Sequence, residues 1–159
     1  MGWMLVVALS SWGCGTPVDK GFDPNRNELP AKIKTVLETS ESFVLLSLDP
    51  SATPDSKEVF HEYKVLGKVD IKDKSERTEI LKALQQGIAD ASGNVLGCFN
   101  PRHGISATLG SERVELVICF ECLSLDVYTK ETNGLLTART PEILFNKTLT
   151  KAGVPTAGK

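Results

Sequence analysis

His103-Gly-Ile-Ser-Ala-Thr-Leu-Gly110-Ser111-Glu-Arg-Val-Glu-Leu-Val-Ile-Cys119-Phe-Glu-Cys122-Leu-Ser-Leu-Asp-Val127 is the stretch that decides the fold. It reads as the centre of a hairpin of two long strands, about Val95–Leu109 and Glu112–Tyr128. Gly110-Ser111 suits a type II′ turn, whose first central residue needs the positive φ that glycine takes freely. That turn pairs Ile105 with Leu116, His103 with Ile118 and Arg102 with Cys119. On the second strand Val114, Leu116, Ile118 and Phe120 are apolar at even positions, whereas Leu123, Leu125 and Val127 are apolar at odd ones. A strand changes phase by taking a β-bulge, so a bulge is expected near Glu121. It would turn Cys119 and Cys122 to one face, away from the apolar line. By the same parity Cys98 and Arg102 of the first strand join them. His103 shares the parity of Ile105 and points to the opposite face, unless Pro101 bends the chain and re-aims it.

Three readings of these cysteines stand side by side. One is a disulfide, Cys98–Cys122 or Cys119–Cys122. The second is a metal site, with zinc held by Cys98, Cys119 and Cys122 and by His103 if the chain bends. Cys-x4-His and Cys-x2-Cys are short ligand spacings, although zinc sites more often use two tight pairs on knuckle turns. The third is structural, with the thiols packed as small apolar groups. Arg102 opposite Cys119 would favour thiolate; it can equally form an ion pair with Glu121 or Glu115. Arg102 and Glu121 are the candidate binding surface.

Outward from the hairpin, the apolar spacing predicts a helix over Leu29–Thr39, with Leu29, Ile33, Val36 and Leu37 on one face and Pro30 in its first turn. Phe43–Leu48 is a continuous apolar strand ended by Asp49-Pro50. Val59–Ile71 reads as one long strand, with Val59, Tyr63, Val65, Val69 and Ile71 on one face and His61 as a core histidine. Asp73-Lys-Ser-Glu76 is a capping box. It opens a helix to about Asp90 with Ile80, Leu81, Leu84 and Ile88 as its apolar stripe. Leu135–Ala138 is expected to be a last strand. Thr140-Pro141-Glu142 opens a helix to Ala152 that Gly153 stops. The sequon Asn146-Lys-Thr148 falls inside that helix. The order implies an α+β fold: an antiparallel sheet of about five strands with two or three helices packed mainly on one face.

The chain has 159 residues, with 18 Lys+Arg against 20 Asp+Glu and a net charge of −2. One domain with a real core fits that length. No block of Lys or Arg exists, which argues against nucleic-acid binding through counterion release. No nucleophile elbow and no phosphate-binding glycine loop are present, and no catalytic residue is assigned.

The N-terminus carries a different signal. Trp3–Leu9 is a short apolar run, followed by Ser10-Ser-Trp-Gly-Cys14. Apolar segment, small residues and then cysteine resemble a lipoprotein signal, although no basic residue precedes the run. Residues 1–13 are then a signal peptide, Cys14 the lipidation point and residues 14–27 a tether rich in glycine, proline and polar residues. Residues 28–159 form the single α+β domain. Two or three acyl chains on Cys14 would anchor the domain stably.

Phe60-His-Glu-Tyr-Lys-Val-Leu-Gly67, Cys98-Phe-Asn-Pro-Arg-His-Gly-Ile105 and Ile118-Cys-Phe-Glu-Cys122 resemble a family of uncharacterised bacterial exported proteins, over roughly residues 42–155. That resemblance implies an exported single domain and carries no activity. The expectation is a lipid-anchored binding or structural domain in the bacterial cell envelope, whose partner is an envelope protein or a small ligand. The alternative is a thiol-redox or zinc site on the cysteine hairpin.

Overall fold

Local chemistry sets the helix boundaries. In the computed structural model, which describes residues 27–51, 58–93, 97 and 99–158, the Asp73 carboxylate accepts the Glu76 N–H at 2.8 Å. That bond caps α2 (Lys74–Ala89) as the sequence predicts. α1 (Ala31–Thr39) buries Ile33, Val36 and Leu37. α3 (Glu142–Lys151) buries Phe145, Thr148 and Leu149.

Among the described residues the sheet has seven strands, where the hydrophobic pattern suggests about five: β1 (Ser42–Asp49), β2 (Val59–Phe60), β3 (Tyr63–Asp70), β4 (His103–Leu109), β5 (Glu112–Cys119), β6 (Ser124–Tyr128) and β7 (Thr132–Leu136). They lie in the order β2-β3-β1-β4-β5-β6-β7, and every pairing is antiparallel. The two extra strands arise where expected long strands break. Glu112–Tyr128 is two strands joined by a turn over Phe120–Leu123, with Cys119 paired to Ser124. The change of phase near Glu121 is therefore a hairpin turn, not a bulge. Val59–Ile71 is also broken, at His61-Glu62, where Phe60 pairs with Tyr63. The strand expected from Val95 begins only at His103. The last strand lies at Thr132–Leu136 instead of Leu135–Ala138.

A bulge does exist, but in β3. Ser47 faces Gly67 and Leu48 faces Val65, leaving Leu66 as the extra residue. It reverses the side-chain phase. Val69 packs into the helix-side core, whereas Tyr63 and Val65 pack on the other face of the sheet. The five residues expected on one face are thus divided between two.

All three helices pack on one face. Ile33, Leu37, Ile80, Leu84, Ile88, Phe145 and Leu149 meet Phe43, Leu45, Ile105, Leu116, Ile118, Leu125 and Val127 of the sheet. Each large side chain fully buried there contributes roughly 1.5–3 kcal/mol. Arg77 ties α2 to its neighbours: one guanidinium nitrogen donates to the Ser40 hydroxyl at 3.1 Å and the other to the Ile71 carbonyl at 3.1 Å. The guanidinium also sits 5.4 Å from the Phe43 ring centre.

The opposite face holds a smaller core of Leu46, Leu48, Phe60 and Val117. Phe60 reaches it from the short β2. A Cβ on Gly104 would stand 2.9 Å from the Phe60 ring, so the absent side chain at Gly104 makes room for it. The hairpin of β2 and β3 therefore folds over the sheet face that the helices leave open.

Candidate functional site

The Cys119-x-x-Cys122 segment is where the predicted site residues gather. β5 delivers Cys119, the chain turns through Phe120–Leu123, and Leu123 closes the turn with a φ of 58°. Cys119 and Cys122 are joined by a disulfide, with their Cα atoms 5.1 Å apart. Both residues are buried. The backbone of Asn100 lies along the bridge: its N–H donates to Cys122 Sγ at 3.2 Å, and its carbonyl oxygen is 3.2 Å from Cys119 Sγ. The Cys122 N–H also points to Cys119 Sγ, at 3.1 Å.

The two residues between the cysteines go opposite ways. Phe120 is 2% exposed and joins the helix-side core. Glu121 stays at the surface and is an ion-pair partner of Arg102. A second arginine, Arg139, approaches the same carboxylate at 3.5 Å and also pairs with Glu142 at 2.8 Å. Arg102 Nε donates to the Gly158 carbonyl at 3.3 Å, so the C-terminal residues touch this end of the sheet. Of the two roles open to Arg102, the ion pair with Glu121 is the one found. The network alternates in sign, which makes it a set of satisfied ion pairs on a fixed turn.

His103 faces the other way. It is paired with Ile118 as expected, and Cys119, the next residue of β5, points to the opposite side of the sheet. The imidazole is 2% exposed. Its Nε2 is 2.8 Å from Asn146 Oδ1 of α3. Phe120 and Phe145 pack around it, at ring-centre distances of 5.2 and 5.7 Å. Burial holds the imidazole below its ordinary range; the Asn146 hydrogen bond and the nearby Glu142 pull the other way, and Arg102 adds to the lowering. Of the proposed zinc ligands, Cys119 and Cys122 are bonded to each other and His103 is held by Asn146. Cys98 lies outside the described residues, as do Cys14, the signal peptide and all but the last residue of the tether. Among the described residues no three His, Cys, Asp or Glu side chains gather as a metal site. No helix among them is long and apolar enough to cross a membrane.

A second cluster, which no motif in the sequence marks, lies on the open sheet face. His61 is not inside a strand; it sits at the tip of the β2–β3 turn with a φ of 54°. That left-handed conformation is uncommon for any residue with a Cβ. Its ring stacks on Tyr128 of β6 at 3.7 Å and meets Phe60 edge-on at 4.8 Å. Its Nε2 is 3.1 Å from Glu115 Oε2. Glu115 also pairs with Arg113 Nε at 2.9 Å and accepts from the Ser106 hydroxyl at 3.3 Å. The Tyr128 hydroxyl donates to Asp126 at 3.4 Å. The arrangement clasps the hairpin tip to β5 and β6. The available signal was the spacing of Phe60 and Tyr63 around two polar residues, but His61-Glu62 lacks the Asn, Asp or Gly that usually marks such a turn.

Fold and site together define an antiparallel α+β domain with a local disulfide turn at one end of its sheet and a histidine clasp on its open face. No family model matches the chain, and no curated protein or solved structure matches it.

Proposed function

We propose that this chain is an exported, lipid-anchored domain of the bacterial cell envelope, held through Cys14, with a binding or structural role. The Arg102–Glu121 end of the sheet is its recognition surface, and its partner is an envelope protein or a small ligand. The observation that carries the reading is the Cys119–Cys122 disulfide. Such bonds persist in oxidising compartments and are rare in a reducing cytosol. The Arg102–Glu121–Arg139 network on that turn supports the choice of surface, because the bridge fixes the carboxylate that the arginines approach.

Fractionation of cells expressing the full chain, with fatty-acid labelling, tests the anchor. The wild-type chain is expected in the membrane fraction with label incorporated. Cys14→Ala is expected to lose the label and leave that fraction. Unlabelled wild-type protein in the soluble fraction would refute it.

One observation favours a second reading, a thiol-redox or zinc site: the bridged pair has the Cys-x-x-Cys spacing, which supplies two thiolates when reduced. Zinc analysis and thiol titration of the reduced chain decide this. Stoichiometric zinc that is lost in Cys98→Ala and Cys122→Ala supports the site. Failure to bind zinc, together with a bridge that dithiols reduce only after unfolding, removes it.

A further inference from the structure

His103 and Ser47 are direct partners across β4 and β1. The neighbouring pair is hydrogen-bonded, since the Leu48 N–H donates to the Arg102 carbonyl at 2.9 Å. Hydrogen-bonded and open pairs alternate in an antiparallel ladder, so Ser47 and His103 form an open pair, in which side chains stand closest. Both are buried on the helix face, Ser47 completely. Each also has a polar atom with no partner, Ser47 Oγ and His103 Nδ1. Buried polar atoms are nearly always hydrogen-bonded, so two unpaired ones on directly opposed residues call for an explanation.

The protonation state follows from Asn146. An amide oxygen only accepts, so Nε2 carries the proton and donates to Asn146 Oδ1. Nδ1 then presents a bare lone pair, and the cross-strand neighbour of His103 is Ser47, whose hydroxyl is likewise unpaired. The imidazole is thus the neutral link between the sheet and α3, set among the rings of Phe120 and Phe145.

We propose that Ser47, His103 and Asn146 form a proton-operated bolt that fastens α3 to the sheet and releases it in acid. A proton taken up at Nδ1 creates a cation inside the aromatic core, and the cross-strand Ser47 hydroxyl is the acceptor assigned to it. The groups around it do not compensate. Arg102, just before β4, is a like charge, and Glu142, at the start of α3, is already paired with Arg139 at 2.8 Å. Asn146 and Phe145 on α3, Phe120 on the β5–β6 turn and Ser47 on β1 are uncharged. Water reaches the cation when α3 lifts, and Phe145 and Leu149 leave the core with it.

The linkage has a definite sign. With the folded imidazole below its ordinary value, the docked state is fully stable above about pH 6.5 and loses stability as the pH falls from there towards the lower folded value. The loss then levels off.

The test is an acid titration of the labelled full chain by NMR, following the His103 ring nitrogens and amide exchange in all three helices. At neutral pH, Nε2 is expected to be protonated and Nδ1 bare. On acidification, protection of the amides at residues 145–149 should fall at least tenfold in step with His103 protonation, while α1 and α2 stay protected. His103→Gln, which keeps a donor for Asn146 without a titrating group, should abolish that step. Ser47→Ala should leave its onset near pH 6.5 and deepen the loss of protection, because the docked cation then lacks its acceptor. Protonation that leaves α3 protected would overturn the proposal, as would simultaneous loss of all three helices, or a step that survives in His103→Gln. The wild-type titration decides the matter even if a variant does not fold.

Discussion

Replacing Gly87 by alanine should destabilise the domain, although Gly-to-Ala changes inside helices ordinarily do the opposite. Gly87 is the fourteenth residue of the sixteen-residue α2, where alanine would be favoured by about 1 kcal/mol on propensity alone. The space is lacking. A Cβ there would stand 2.5 Å from Pro141 Cγ, 2.8 Å from Thr137 Oγ1 and 3.1 Å from Pro141 Cδ, all well inside the roughly 3.5–4 Å of ordinary contact. Pro141 is a ring adjoining α3 and cannot swing aside. Moving it would also strain the 2.6 Å hydrogen bond from the Ala138 N–H to the Gly87 carbonyl. Overpacking of this kind costs about 1–3 kcal/mol, and weakening that hydrogen bond adds about 1 kcal/mol. After the propensity gain, the net loss is about 1–3 kcal/mol, or roughly 3–12 °C in Tm for a domain of this size. Thermal and urea unfolding measure it. Lys82→Ala and Lys82→Gly, at an exposed site of the same helix, supply the control, with alanine the more stable by about 1 kcal/mol. A Gly87→Ala protein as stable as the wild type or more so would refute the argument, and with it the tight seat of α2 on the connection between β7 and α3.

Two further outcomes follow from the sheet. The Cys119–Cys122 bridge closes a loop of only four residues, so its loss in the Cys119→Ala/Cys122→Ala double variant should cost about 2 kcal/mol on the chain-entropy relation. Urea unfolding should show reductant destabilising the wild type by a similar amount and leaving the double variant unchanged; a reductant effect on the double variant would contradict the assignment. His61→Ala should lower global stability by only about 0.5–1.5 kcal/mol, through loss of the ring stack on Tyr128, because Glu115 keeps Arg113 and Ser106 as partners. It should nevertheless raise hydrogen exchange at Tyr63–Val65 severalfold by unclasping the hairpin tip, and unchanged exchange there would mean that the clasp holds nothing.

The legible parts of this fold share one property: their signals are local. The Asp73 cap, the apolar stripe of α2 and the Gly110-Ser111 turn are each specified within a few residues. Gly110 takes a φ of 55° as the turn requires, and the register that follows from it is the register found. The α+β class and the packing of helices on one face also follow from such signals. The site was less legible. The bond between Cys119 and Cys122 was one of two pairings open to the sequence, and the ion pair of Arg102 with Glu121 was one of two partners. What decided them was the turn at Phe120–Leu123, which has no glycine although Leu123 adopts positive φ. Asn146 had no visible role because its partner, His103, lies 43 positions away in sequence.

The misplaced bulge shows why the rest was hidden. Reversal of apolar parity has two physical causes: one extra residue in a strand, or a tight turn between two strands. Both move the apolar line from even to odd positions, and periodicity alone does not distinguish them. The reversal at Glu121 is a turn; its four residues bring Ile118 opposite Leu125 on the same face. The true bulge, at Leu66, lies in a segment whose odd positions, Gly67 apart, are apolar from Tyr63 to Ile71. Continuous apolar parity there concealed a change of face, because both faces of the sheet are covered: one by the helices, the other by Phe60 and the hairpin that carries it. Alternation reports a face only where one side of the strand meets water. Where a chain folds its own hairpin over the second face, as His61 and Phe60 do here, an apolar residue is tolerated on either side, and the register is set by turns and bulges instead.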